Sequence, residues 1–560
     1  MKKYRARTVS IIVAVLLVSF LSTAYILRNE SRDFKLQKNL DIFYSLVREL
    51  NAFYVDELKP DELFEEGIDE MLNDLDPYTT YYPESERDEF AFMTTGKYGG
   101  IGSLIRSQGD YTVLSQIYKG FPADISGLKA GDILKQIDGE SLKGLSTQGV
   151  SERLKGEPNT QMTLTIERQG EEFEKTLTRK RITISPVPYY GMLDNETGYI
   201  RFTNFTQNCS ANVKEALLSL LKEEGAEKII LDVRNNPGGL LNEAVEIVNF
   251  FVGPGNEVVS TRGRVEKYDN TYKTTRQAID EDIPLVILIN SNTASAAEIL
   301  AGAIQDLDRG VVVGQRSFGK GLVQISRPLS YNATLKVTTA KYYIPSGRCI
   351  QAVDFSNRNE DGSVGNIPDS LTSEFQTLNG RVVRDGGGIS PDYLVEPEKI
   401  SSFTTQLYLR ALIFDYATDF YWENEEIEKP GKFTISDDTY RGFHDFLVAR
   451  EYAYESPTQN AFERLKAVAK NEKYFDRNKD IFTTMEKSLD HTLDNDLQLH
   501  REEVSRLLED EIIGRYHYEK GVIEHSLNTD MQLQKAIGVI NDASLYASTL
   551  QGTSGLLSKK

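Results

Sequence analysis

Three short runs, KIILDV (228–233), PLVILIN (284–290) and GVVVG (310–314), are apolar at nearly every position. Side chains of a strand alternate between two faces, so a half-exposed strand alternates in polarity. These runs do not alternate, and they are interleaved with helical stretches across 184–345. Such strands belong in a sheet covered by helices on both faces. Around this α/β core the pattern changes. Leu36 to Leu75 has helical periodicity, with a break and a new helix start at Pro60–Asp61. Residues 97–183 switch to short strands with Gly-rich punctuation, and 352–386 are polar and irregular. From about 401 the pattern is helical and charged to the end, with a break at Asn424–Lys432. No internal repeat of fixed period is present. The chain is expected to be a multidomain protein of mixed α/β and α+β class, with 28–96 and 401–560 as helical regions.

The N-terminus carries an address. Lys2, Lys3, Arg5 and Arg7 precede an uncharged run from Thr8 to Leu27. About 20 apolar residues span a bilayer, with the positive end inside. Ser22-Thr23-Ala24 also resembles the small-residue site of a cleaved signal peptide. Residues 1–27 therefore read as a signal peptide or a membrane anchor. Both readings export the rest, which places the protein in the cell envelope: periplasmic, or anchored to the inner membrane with its bulk outside the cytoplasm. A retained segment makes the membrane a partner.

Composition narrows the chemistry. The 560 residues hold 84 acidic and 64 basic side chains, a formal charge of −20. That balance argues against a general nucleic-acid binder. Cys209 and Cys349 can form one bridge or none, and cannot build a four-thiolate zinc site. The five histidines, His444, His491, His500, His517 and His525, all lie in the tail. Chemistry in the first 440 residues must proceed without imidazole unless the tail folds back. His491 and His500 are too far apart for a compact ligand pair, so no metal is expected. No nucleotide loop is present, and no cofactor is expected. Trp422 reads as packing.

Three segments carry the candidate chemistry. LDVRNNPGG (231–239) ends a buried strand in a Pro-Gly-Gly turn. SNTASAAE (291–298) ends a second strand and opens a helix. GQRSFGKGLVQ (314–324) is a strand, a Gly-flanked turn and another strand. Ser295 reads as a helix N-cap, with Glu298 completing a capping box. The same position suits a nucleophile. The N–H of Ala296 lies at a helix N-terminus, where negative charge is stabilised. A second N–H from Gly238 or Gly239 completes an oxyanion hole, and glycine lets that backbone approach a substrate. A serine nucleophile needs a base. Lys320, between Gly319 and Gly321, is a solvated turn residue or a desolvated amine whose pKa is lowered enough to take a proton. If 320, 322 and 324 share a strand face, Gln324 lies beside Lys320 and orients it.

Taken together, TASAAE, FGKGLVQ and DVRNNPGG resemble the nucleophile, lysine and oxyanion motifs of the carboxyl-terminal processing (tail-specific) proteases. LNDLDPYTTYY and PSGRCIQ (345–351) are further matches, and the resemblance covers about 36–400. It implies a crotonase-like αβ serine protease core over 184–400, an inserted PDZ domain over 97–183, and an exported endopeptidase with a Ser295–Lys320 dyad. It also implies that the loop Gly99-Gly100-Ile101-Gly102 holds a free peptide carboxylate in backbone N–H groups, the peptide adding a strand at a sheet edge. The partners are protein or peptide substrates with free apolar C-termini. Related enzymes often carry Arg before the Gly that ends the PDZ helix; here the pair is Lys155-Gly156. The helical ends are plausible surfaces for a homo-oligomer. The rival reading is an exported PDZ scaffold with an inactive core; the intact Ser295, Lys320 and Gln324 argue against it.

Overall fold

A computed structural model describes residues 33–355, 364–489 and 492–552. The candidate membrane segment Thr8–Leu27 lies outside them. No helix among the described residues is long and apolar enough to cross a membrane. The chain divides into two units, Met1–Tyr81 and Tyr82–Lys560. In the first, 33–53 are helical and a second helix, Pro60–Asn73, opens on proline as expected. Pro at the first turn loses no intrahelical hydrogen bond. Phe43 and Phe64 meet edge-to-face at 5.9 Å.

The second unit is built on a six-stranded sheet. Its order is Tyr189–Met192, Thr197–Arg201, Lys228–Asp232, Leu285–Ile289, Val311–Gly314 and Tyr393–Leu394. The first pair is antiparallel and the rest are parallel. Every residue of Leu285–Ile289 is buried. On one face, Ile229, Leu231, Ile287 and Ile289 pack with Val213, Ala244, Ile247 and Leu300 from helices Cys209–Ser219, Leu241–Val248 and Ala296–Asp306. On the other, Ile230, Val286 and Leu288 pack with Leu533, Ala536, Val539 and Ile540 of helix Met531–Asn541. The second layer of the core thus comes from the far end of the tail.

Residues 97–183 form a separate module. Strands Ser103–Gln108, Tyr111–Ile117, Ile133–Ile137, Gln161–Arg168 and Glu171–Thr178 make an antiparallel sheet around Leu114, Leu134, Val150, Leu164 and Ile166. Its entry strand Lys97–Gly100 pairs with its exit strand Lys180–Thr183. Entry and exit side by side are what insertion into another domain requires. The tail forms nine α-helices among the described residues after 401; Ser402–Leu409, Leu412–Glu423, Asp437–Ala449 and Arg501–Ser526 share a core of Phe403, Ile413, Phe443, Leu447 and Leu508. The expected break falls between helices Leu412–Glu423 and Asp437–Ala449. The irregular stretch after 352 holds a small hairpin, Glu374–Gln376 with Val382–Arg384.

Candidate active site

Ser295 sits between buried strand Leu285–Ile289 and helix Ala296–Asp306. Its backbone has φ 56° and ψ −118°, a left-handed φ that costs a non-glycine residue free energy. The N–H that a capping serine would take, that of Glu298, bonds to the Ser295 carbonyl oxygen at 2.8 Å. The Glu298 side chain accepts the Ser295 N–H in return, which is the expected capping box.

Glu298 does more than cap. It is fully buried. Its Oε2 accepts the N–H of Ser295 at 2.8 Å and of Lys320 at 2.9 Å. Its Oε1 accepts the Ser317 hydroxyl at 2.5 Å and the Gly319 N–H at 2.7 Å. One carboxylate therefore holds the backbone of both dyad candidates. Burial pushes its pKa up to about 7, against these four hydrogen bonds. Tyr342, also buried, donates its hydroxyl to the carbonyl oxygens of Ser295, at 3.1 Å, and of Lys320. Neither role is legible in the motifs. The signal available for Glu298 is one acid in an otherwise apolar helical run, and by itself it reads only as a cap.

The Pro-Gly-Gly turn is stitched to the turn at Ser295. Asn235 Oδ1 accepts from Asn290 at 2.8 Å and Asn292 at 3.0 Å, and the Ala294 N–H bonds to the Asn236 carbonyl oxygen at 2.9 Å. A Cβ on Gly238 would lie 2.7 Å from Ser295 Cβ and 2.8 Å from the Ala296 nitrogen. The Gly238 N–H is already bonded to Asn236 Oδ1 at 2.9 Å. Of the two glycines expected to donate to an oxyanion, Gly238 thus has its N–H engaged.

Behind this turn, Asp232 is fully buried, and Arg201 and Arg234 each reach it. Burial pushes its carboxyl up, but the two guanidinium groups pull it well below the usual carboxylate range. Arg234 also pairs with Asp530 of the tail at 2.5 Å.

Ser295, Ala296, Gly238, Gly239, Lys320, Gln324 and Tyr342 line one cavity of about 630 Å³. Lys320 is half-buried and lies in the turn before strand Leu322–Pro328, not within the strand as a shared face with Gln324 requires. Two successive glycine flanks break strand geometry there, and Glu298 fixes the turn instead. Gln324 does lie on the strand. Its amide donates to the Leu322 carbonyl oxygen and the Thr338 hydroxyl, both at 3.2 Å, and makes no hydrogen bond to Lys320. With both donors engaged, its Oε1 remains to accept from an ammonium.

No histidine lines the cavity among the described residues. His491 lies outside them, and they hold no cluster of His, Cys, Asp or Glu suited to a metal ion. Cys209 and Cys349 are free thiols. In the loop expected to hold a peptide carboxylate, Gly99 and Gly100 belong to a paired strand, and only Ile101 and Gly102 form the turn. Ile101 is buried with Val150 and Leu154 of helix Thr147–Leu154. Trp422 lies beneath the Arg168 guanidinium and against Tyr421, a packing role.

Residues 196–357 match peptidase family S41, 113–168 match the PDZ domain, and 403–540 match the C-terminal helical domain of probable PDZ-proteases. A probable CtpA-like serine protease of Staphylococcus aureus is 33% identical over 356 residues, covering 62% of this chain and 70% of that protein. The chain belongs to the carboxy-terminal-processing serine proteases of family S41. The carboxy-terminal-processing protease of Bartonella bacilliformis is 32% identical over 321 residues, 56% of this protease and 73% of that one. Among solved structures, the photosystem II D1 C-terminal processing protease is 28% identical and covers 64% of this protease and 92% of that chain, with a TM-score of 0.36.

Proposed function

We propose that this serine protease cuts proteins near unstructured C-termini with a Ser295–Lys320 dyad. The observation that carries this reading is Glu298, whose one carboxylate oxygen takes the backbone N–H groups of both Ser295 and Lys320 beside a common cavity. Ser295 Oγ attacks the scissile carbonyl carbon, and Lys320 Nζ takes the hydroxyl proton. The oxyanion is held by the N–H groups of Ala296, at a helix N-terminus, and Gly239. Collapse of the tetrahedral species breaks the C–N bond, and Lys320 returns its proton to the leaving amine. Lys320 then takes a proton from water, which attacks the acyl-enzyme carbonyl, and gives it to Ser295 Oγ as the C–O ester bond breaks, restoring the serine and the neutral amine. Gln324 Oε1 orients the amine between steps.

The core is of the crotonase-like kind, a reading supported by its parallel sheet with helical layers on both faces. The PDZ turn at Ile101–Gly102 receives the free carboxylate of the substrate, and its apolar last residue lies against helix Thr147–Leu154 beside that turn. The basic start and apolar run of residues 1–27 support an envelope location. No observation favours an idle scaffold. The full chain is expected to degrade an unstructured protein with an apolar tail, and Ser295→Ala to leave it intact. Equal degradation by both ends the dyad reading.

A further inference from the structure

The cleft that holds Ser295 contains a second lysine. Lys336 lies on strand Thr334–Tyr343, opposite Ser326 of strand Leu322–Pro328. It lines the same cavity as Lys320, Leu322, Gln324 and Ser326. Positions 322, 324 and 326 share a strand face, and a cross-strand partner shares it too. Lys336 thus stands beyond Gln324, on the side of the ribbon away from the Lys320 turn.

Its surroundings lack the carboxylate that stabilises several partly buried lysines of the chain. Three other partly buried lysines each sit on a carboxylate: Lys135 on Glu167 at 2.9 Å, Lys228 on Glu196 at 2.6 Å and Lys466 on Glu486 at 2.6 Å. Lys336 forms no ion pair or hydrogen bond among the described residues. The described lining of its cavity has two lysines and no Asp or Glu. Burial lowers the pKa of its ammonium, and no neighbouring acid raises it again. An unpaired cation is costly to desolvate, and an anion entering the cleft offsets that cost with a charge-assisted hydrogen bond.

We propose that Lys336 is a specificity residue that binds a substrate carboxylate inside the cleft, either an Asp or Glu side chain or the free C-terminus. The inference rests on the Ser295–Lys320 reading of the same cleft. Strand residues rise about 3.3 Å each, so Leu322 to Ser326 covers about 13 Å. A substrate extended along this ribbon presents the carboxylate about four residues from the scissile bond.

The test uses unstructured peptides that share one apolar C-terminal residue. A single Glu, or Gln in its place, is set in turn at each position within about six residues of the scissile bond. Each peptide is made as the free acid and the amide. The readout is the ratio of kcat/KM for the charged peptide to that for its neutral counterpart, with the full chain. At one position, or at the terminus, the ratio is expected to be about tenfold or more, the worth of a hydrogen bond to a charged group. Lys336→Gln should bring an interior ratio to about one and lower a terminal ratio to the share that the PDZ turn contributes, Lys336→Glu should invert an interior ratio, and Lys336→Arg should keep either. An interior position identifies a side chain as the source, and the terminal comparison identifies the C-terminus. Because each ratio is taken within one variant, loss of stability cancels. If no ratio responds to any Lys336 substitution, the proposal is wrong. Cleavage of these peptides by Ser295→Ala would instead overturn the dyad reading, whatever the ratios show.

Discussion

Gly238→Ala puts a methyl group where the Pro-Gly-Gly turn and the Ser295 turn touch. Gly238 has φ +93°, and its Cβ would lie 2.6 Å from the Ala294 carbonyl oxygen, 2.7 Å from Ser295 Cβ and 2.8 Å from the Ala296 nitrogen. Relief to ordinary contact distance needs a shift of roughly 0.5–0.8 Å. The turns cannot separate freely, because the bonds of Asn235 to Asn290 and Asn292 hold them together. Left-handed alanine costs about 1–2 kcal/mol and crowding about 1–3 kcal/mol more. The displacement falls on Ser295 and the Ala296 N–H. Misplacement of that order lowers kcat on the order of 100-fold, about 2.7 kcal/mol of barrier. Gly255→Ala is the control, since Gly255 has φ +94° and nothing within 4 Å of an added Cβ. It carries the strain without the crowding. Cleavage of an unstructured protein with an apolar tail gives kcat, and denaturant unfolding gives stability. Gly255→Ala should lose about 1–2 kcal/mol and keep its turnover, whereas Gly238→Ala should stay folded and lose turnover. Wild-type kcat in Gly238→Ala would show that the Pro-Gly-Gly turn does not border the reacting atoms.

Lys320→Arg should be folded and inactive, because guanidinium keeps its proton; an active arginine variant removes lysine from the base role. Replacing all five histidines should leave turnover intact while lowering the melting temperature, since His525 is buried between Pro430 O and Glu509; a folded but inactive variant would count against the dyad. Gln324→Ala should lower kcat more than it raises KM, and an unchanged kcat would make Gln324 a strand residue only. Glu298 keeps a proton in the folded chain that the unfolded chain loses near pH 4.5, up to about pH 7. Its share of stability is therefore complete below pH 4.5 and falls by roughly 3 kcal/mol as pH rises to about 7. Unfolding midpoints across that window should slope less in Glu298→Gln, and equal slopes would refute the assignment. Amidating a substrate's C-terminus, or appending Asp residues to it, should slow its cleavage below saturation; equal rates would sink tail recognition and leave the dyad standing.

The layered core was legible because strands apolar on both faces demand two covers. Only one cover was local. Helices Leu241–Val248 and Ala296–Asp306 follow their strands in the chain and pack on one face. The other face is closed by Leu533, Ala536, Val539 and Ile540, more than 200 residues beyond the last of Lys228–Asp232 and Leu285–Ile289. Periodicity reveals that a helix has an apolar stripe and says nothing of the surface it meets. The same limit hid Asp530. Read in sequence it is an acid before a helix; in the fold it caps Met531–Asn541 and pairs with Arg234. The tail thereby reaches the back of the oxyanion turn, through Arg234 to buried Asp232.

At the site itself, residue type and spacing pointed to Ser295, Lys320 and the Pro-Gly-Gly turn, because nucleophile, base and close backbone approach each demand particular chemistry. What holds those groups was not legible, because it acts through the backbone. Glu298 binds Ser295 and Lys320 by their N–H groups, which every residue but proline possesses, so no partner residue type advertises the contact. Tyr342 likewise bonds to their carbonyl oxygens. The burial of Glu298 then has a physical reason. Four donors converge on its two oxygens, and a neutral amide offers only one acceptor oxygen. In Glu298→Gln the new amide has two orientations. With its NH₂ at the Oε2 position, the N–H groups of both Ser295 and Lys320 would lose their acceptor. Turned the other way, the NH₂ can donate to Ser317 Oγ, whose own proton rotates away, and of the backbone N–H groups only that of Gly319 is left unpaired. An orphaned buried donor costs about 1–3 kcal/mol. The second orientation is therefore favoured, and it preserves the two bonds that hold the dyad. Glu298→Gln is accordingly expected to weaken the glycine-flanked turn first, at Gly319, one residue from the base.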